Sequence, residues 1–144
     1  MVVNSRDQLV GSDGDALERA LRDDTRRPYF DLRILASTLS ADGVNVKFSF
    51  SGNTAEPLDV VAVLTDDADC SNVLRGENSG RLLQHVSVAR SLTNVATVAG
   101  DAEKSIHLSL PEGFQVTANP GHHLVLFVQE PHQGTILGAT TASL

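Results

Sequence analysis

A chain of 144 residues is long enough for one ordinary domain with a short appendage, and its 41% hydrophobic content can fill one core. Eleven Lys and Arg against 18 Asp and Glu leave a formal charge of −7, which argues against a nucleic-acid surface, since that needs clustered positive charge to displace counterions. One cysteine excludes an internal disulfide, six Phe and Tyr without a Trp leave little on which to stack bases or sugars, and no apolar run nears the roughly eighteen residues of a membrane span.

Residues 1–22 read as strand, turn, strand and helix. Met1-Val-Val and Gln8-Leu-Val are short apolar runs separated by polar Asn4 to Asp7. Ser12-Asp-Gly-Asp15 predicts a capped helix start, with the Asp15 carboxylate reaching back to an orphan amide. Leu17, Ala20 and Leu21 then share a helical face, and Glu18, Arg19 and Arg22 face water. A ββα piece this small cannot bury enough surface alone, so it must lean on the rest of the chain, on a protein partner or on a second copy. Asp23 to Arg27 form a charged connector that Pro28 stops.

From Tyr29 the apolar period becomes two. Phe30, Leu32, Ile34 and Ala36 are expected on one face, with a turn at Ala41-Asp-Gly43. Val44, Val46, Phe48 and Phe50 alternate with Asn45, Lys47, Ser49 and Ser51, the pattern of a half-buried antiparallel strand. Gly52 to Pro57 form a loop, and Leu58 to Leu64 read as a central strand covered on both faces. The polar, Gly-marked run from Thr65 to Arg81 is expected to be a packed loop. Leu82 to Val98 should be strand, bent near Ser91 to Asn94, and Ser105 to Leu110 should put His107 on the wet side. Turns are expected at Pro111-Glu-Gly113 and Asn119-Pro-Gly121, and a closing hairpin joins Leu124–Gln129 to Ile136–Ala142. About seven short strands separated by turns predict a mostly-β, immunoglobulin-like antiparallel sandwich with an N-terminal ββα appendage.

The stretch from Arg75 to Leu92 concentrates the special residue types: Arg75, Gly76, Glu77, Asn78, Gly80, Arg81, His85 and Arg90. Glu77, Arg81 and His85 could form a polar enzyme site, with acid, cation and base within mutual reach. The preferred reading is structural: Glu77 and Asn78 tie down loop amides, and Arg81 pairs with a carboxylate and clamps the loop on the sheet. Cys70 is expected to be inert, because Asp66, Asp67 and Asp69 flank it and oppose a thiolate. These aspartates with Asn72 make a weak case for a metal-dependent binding module over residues 66–72, lacking the spacing of a twelve-residue calcium loop. His122, His123 and His132 are expected in a solvated turn, since adjacent strand residues face opposite ways and cannot share an ion. No phosphate loop, nucleophile elbow, Cys-x-x-Cys pair or His-Glu-x-x-His helix is present, so no catalytic residue, cofactor or metal is assigned.

Arg75-Gly-Glu-Asn78, Gly80-Arg81, Leu83, His85, Val88 and Arg90 together resemble the signature of an uncharacterised bacterial family, domain of unknown function 1223. Leu124 to Pro131 with Gly134 to Ala139 resemble its closing hairpin, and Met1 to Asn4 with Leu9 to Ser12 the last strands of its first domain. The resemblance implies a thioredoxin-like domain followed by a β-sandwich. Residues 1–27 would be the tail of the first and residues 28–144 the whole of the second. A thioredoxin-like active site needs a Cys pair, and Cys70 lies alone in the sandwich region, so no redox activity is carried over. The expected function is that of a non-catalytic interaction or accessory module, companion to a thioredoxin-like domain. Its expected partner is another protein or a second copy, met through the ββα segment. No basic stretch followed by an apolar run is visible at the start. The expected location is cytoplasmic if the chain is complete, and exported if it belongs to a longer precursor.

Overall fold

The computed structural model describes residues 1–114 and 121–144. The turn expected at Asn119-Pro-Gly121 therefore falls outside the described residues, apart from Gly121.

Two antiparallel sheets face each other. The first contains β3 (Asp31–Leu39), β4 (Gly43–Ser51) and β7 (Ala102–Ser109), in the order β3-β4-β7. The second contains β5 (Leu58–Asn72), β6 (Leu82–Val98), β8 (His122–Gln129) and β9 (Ile136–Ser143), in the order β6-β5-β8-β9. Alternation in β4 points Val44, Val46, Phe48 and Phe50 inward, where they meet Leu58, Val60, Ala62 and Leu64 of β5 and Leu124, Leu126 and Val128 of β8. As expected of a central strand, β5 is buried on both faces from Val60 to Leu64. The mostly-β, antiparallel expectation holds. In antibody constant domains the fourth sandwich strand joins the first sheet; here that strand, β6, stays hydrogen-bonded to β5 along the whole hairpin.

Two local expectations change. Ile34 pairs with Phe48 but Ala36 pairs with Lys47, so Leu35 is an extra residue in β3. This bulge exchanges the faces beyond it, leaving Ala36 exposed and turning Leu39 toward the core. The packed loop predicted over 65–81 is instead strand as far as Asn72, with a turn only over residues 73–81. Asp66 pairs with Val88, Ala68 with Val86, Cys70 with Gln84 and Asn72 with Leu82. β8 stops pairing with β5 at His122, opposite Asp66, so beyond that point β5 and β6 continue as a two-stranded arm. Polar residues suit a strand there because most of its side chains are exposed. The bend expected near Ser91 to Asn94 resolves into two bulges on β6, at Arg90 and Val95, on either side of that stretch.

The N-terminal piece has β1 (Val2–Val3), β2 (Asp7–Gln8) and α1 (Gly14–Asp24). Asp13, not Ser12, caps the helix: its Oδ1 accepts from the Ala16 amide at 2.9 Å. Ala20 is buried and Leu17 half-buried, but Leu21 is 50% exposed and leaves the expected apolar face. The piece docks on its own sandwich through Asn4, whose Nδ2 donates to Ile136 O (3.0 Å) and whose Oδ1 accepts from Ile136 N (2.8 Å). Nearby, the entry to β3 bridges the two sheets. Phe30 N donates to Leu137 O at 2.7 Å, and the Tyr29 hydroxyl donates to Ala139 O while accepting from Ala139 N.

Candidate functional site

The inner face of β5 runs Leu64, Asp66, Ala68, Cys70, because alternate residues share a face. Leu64 is buried in the core, whereas Asp66 opens on a cleft of about 670 Å³ at the root of the arm. Pro111 to Phe114, beyond β7, and His122, the first residue of β8, form its other wall.

One polar cluster lines this cleft. The guanidinium of Arg90 donates through Nε to Asp66 Oδ2, and through Nη2 to Asp69 Oδ2 at 2.7 Å. Asp66 Oδ1 lies 2.9 Å from His122 Nδ1, and the side chains of these two residues are 14% and 4% exposed. The Phe114 ring packs 4.6 Å from that of His122, centroid to centroid. Arg90 is the extra residue of its bulge, a position that re-aims a side chain. One side chain therefore ties β6 to two positions of β5, and Asp66 ties both to β8. The hydrogen bond from Arg90 to Asp66 above all raises the guanidinium further above its ordinary range. The Cys70 amide, donating at 2.7 Å, and then Arg90 hold the Asp69 carboxyl below its ordinary value.

The carboxylate of Asp66 assigns the proton of a neutral His122 to Nδ1, the arrangement that orients an imidazole for proton transfer. Cys70 is exposed, and four strand residues beyond Asp66 put it about 13 Å along β5. The cation already bridges two carboxylates. The cluster is built to join three strands at the point where the sheet narrows to two.

Of the predicted site residues Arg90 lies in this cluster, and the others fall elsewhere. Arg75, Gly76, Glu77, Asn78 and Gly80 form the exposed turn at the arm's tip, where Val73 N donates to Arg81 O (3.0 Å) and Gly80 N to Val73 O (2.8 Å). Gly76 and Gly80 supply the positive φ that this turn needs, 89° and 80°. Asn78 serves through its backbone carbonyl, which accepts from Arg81 N at 3.1 Å; no hydrogen bond of its side chain is found among the described residues. Among the described residues Arg81 makes no ion pair, so it does not clamp the loop; Arg90 clamps the arm instead. His85 Nε2 lies 2.8 Å from Ser71 Oγ across the hairpin. Glu77, Arg81 and His85 are strung along an exposed arm, and no hydrogen bond or ion pair joins them among the described residues.

The acidic run also separates. Asp66 and Asp69 go to Arg90, whereas Asp67 Oδ1 lies 2.5 Å from His123 Nδ1. Among the described residues no three His, Cys, Asp or Glu side chains gather to hold a metal. The histidines expected in a solvated turn belong to a strand, because β8 begins two residues earlier than its apolar run. His122 faces inward, while His123, whose Nε2 is 3.1 Å from Ser143 Oγ, faces outward. His132 does occupy a turn, with φ 61°. The pairing of Asp66 with His122 could not be read from sequence, because it depends on the register of β5 against β8.

No helix is long and apolar enough to cross a membrane among the described residues. No curated protein and no solved structure matches the chain significantly. A family model, that of a protein of unknown function (DUF1223), matches residues 1–129, from the first strand through the arm to the end of β8. By that match the chain belongs to the DUF1223 family of proteins of unknown function.

Proposed function

We propose that the chain is a non-catalytic protein-interaction module, an accessory β-sandwich working beside a thioredoxin-like domain, and that the β5–β6 arm is its contact element. The observation that carries this reading is the exposure of large apolar side chains on the arm: Leu74 84%, Leu82 58% and Val86 80%. Exposed apolar clusters of this kind mark interaction surfaces. Apart from Arg90, which lines the cleft, the residues that resemble the family signature lie strung along the same arm instead of converging on a pocket, which favours contact over turnover. The resemblance supplies the companion: residues 1–27 would be the end of its fold, residues 28–144 the module. Exposed Met1, Val2 and Val10 give the ββα piece a second surface, for a protein partner or another copy.

Photo-crosslinking in cells tests the reading. A photoreactive residue at position 74 or 86 should give discrete protein adducts, and one at position 53, in the loop before β5, should not. Equal adducts at all three positions, or none, would sink the proposal.

A further inference from the structure

We infer that β6 is an edge through which two copies of the chain join, pairing antiparallel about a two-fold axis at Gln84. This rests on the reading of the arm as a contact element and names its partner. β6 is an outer strand of its sheet and has 17 residues, about 56 Å of edge. Proteins guard such edges with Pro, Lys, inward charges or short strands. From Leu82 to Val98 there is no Pro, Gly, Lys, Asp or Glu. Its one formal charge, Arg90, is engaged by Asp66 and Asp69. The bulges at Arg90 and Val95 and the left-handed Ser87 (φ 51°) all lie beyond Val86, so the regular unguarded stretch is Leu82–Val86.

That stretch is complementary to itself. Leu82, Gln84 and Val86 share one face, and Leu82 and Val86 stand two residues to either side of Gln84. A two-fold axis through Gln84 sets Leu82 of each copy against Val86 of the other, and Leu83 against His85. It makes two apolar cross-strand pairs on one face and brings no like charges together. It also mends a weakness of the arm. A two-stranded hairpin is marginal in water, whereas three or more strands with an apolar face are not. Pairing would widen the arm to four strands and remove the β6 edge. Closed two-fold dimers are the commonest way a surface patch meets its own copy.

The test uses the whole chain. Sedimentation equilibrium should give a two-chain mass, and Val86→Lys should weaken the association at least tenfold while the far-UV circular dichroism spectrum stays unchanged, since Val86 is 80% exposed within one chain. Gln84 is in register with Cys70 within one chain, so the covalent test uses Cys70→Ser. In that background Gln84→Cys should oxidise to a disulfide-linked dimer, because residues facing each other across antiparallel strands come within disulfide reach, and Arg75→Cys should not. A dimer insensitive to Val86→Lys would overturn the β6 edge. A monomer at every concentration, with position 86 crosslinking to some other protein, would overturn the second copy and leave the module reading standing. A monomer without arm crosslinks would remove both.

Discussion

Asn4 treats Ile136 as a neighbouring strand would, giving a proton to its carbonyl and taking one from its amide. It does so from φ 44°, a left-handed conformation that Asn tolerates better than most residues. With the longer bond from Gln129 Nε2 to Ser5 Oγ (3.4 Å), this side chain ties the ββα piece to the sandwich. Asn4→Gly keeps the backbone freedom and removes both bonds, leaving half-buried backbone groups unmet at a cost of about 1–3 kcal/mol. Hydrogen exchange should show residues 1–24 losing protection while β4 and β8 keep theirs. Wild-type protection in Asn4→Gly would mean that packing, and not this side chain, does the holding.

Arg90 carries the corresponding prediction for the arm. A planar guanidinium can serve Asp66 and Asp69 together, and an ammonium cannot reproduce that fork. Arg90 is partly exposed, so Arg90→Ala should lower the global stability only slightly. The local effect should be larger, with amides 67–72 and 82–88 exchanging faster. Arg90→Lys should resemble Arg90→Ala more than wild type. Full rescue by Lys would show that charge alone suffices.

Removing Asp66 should be worse than removing Arg90. Asp66→Ala takes the acceptor from a buried imidazole as well as from the guanidinium, so a loss of about 2–3 kcal/mol is expected in urea unfolding. Asp66→Asn keeps one acceptor oxygen and should fall between. If Asp66→Ala unfolds at the same urea concentration as Arg90→Ala, the contact with His122 contributes nothing.

Asp69 provides a pH signature. Its carboxyl is lowered in the folded protein, first by the Cys70 amide and then by Arg90. A lowered carboxyl adds stability above its unfolded value, and that stability is lost as pH falls through the folded value. The window therefore lies below about pH 4. Carbon-detected NMR should place the Asp69 midpoint below about 3.9, and Arg90→Ala should raise it without restoring it fully, because the amide bond survives. A midpoint that does not move in Arg90→Ala would contradict the ion pair.

Much of the sandwich could be read from the chain because burial writes itself into alternation. Val44 to Phe50 and Leu58 to Leu64 each declare which faces are covered. The arm could not be read in this way. Residues 66–72 carry no apolar alternation, since no layer covers them, and a polar run of that kind looks the same as a loop until its partner strand is known. The cluster at the cleft failed for a related reason: Asp66, Arg90 and His122 are far apart in the chain and meet only through two registers. Leu35 shows the local limit. One extra residue in β3 reversed the faces of everything after it, and nothing in Ile34-Leu-Ala36 announces a bulge.

Glycine placement checks the joint between the sheets. A Cβ on Gly138 would stand 2.5 Å from the Phe30 carbonyl oxygen and 3.1 Å from Val128 Cγ2, so β3 could not approach β9 as it does. Gly138→Ala must push the backbone at Phe30 away, stretching the bond from Phe30 N to Leu137 O, and overpacking of this kind costs about 1–3 kcal/mol. Gly100, in the turn before β7, would meet nothing within 4 Å, so Gly100→Ala should be neutral or slightly stabilising through the unfolded chain. Thermal unfolding of the two variants separates the cases. Equal melting temperatures would mean that β3 and β9 are not in the close contact on which this corner of the sandwich depends.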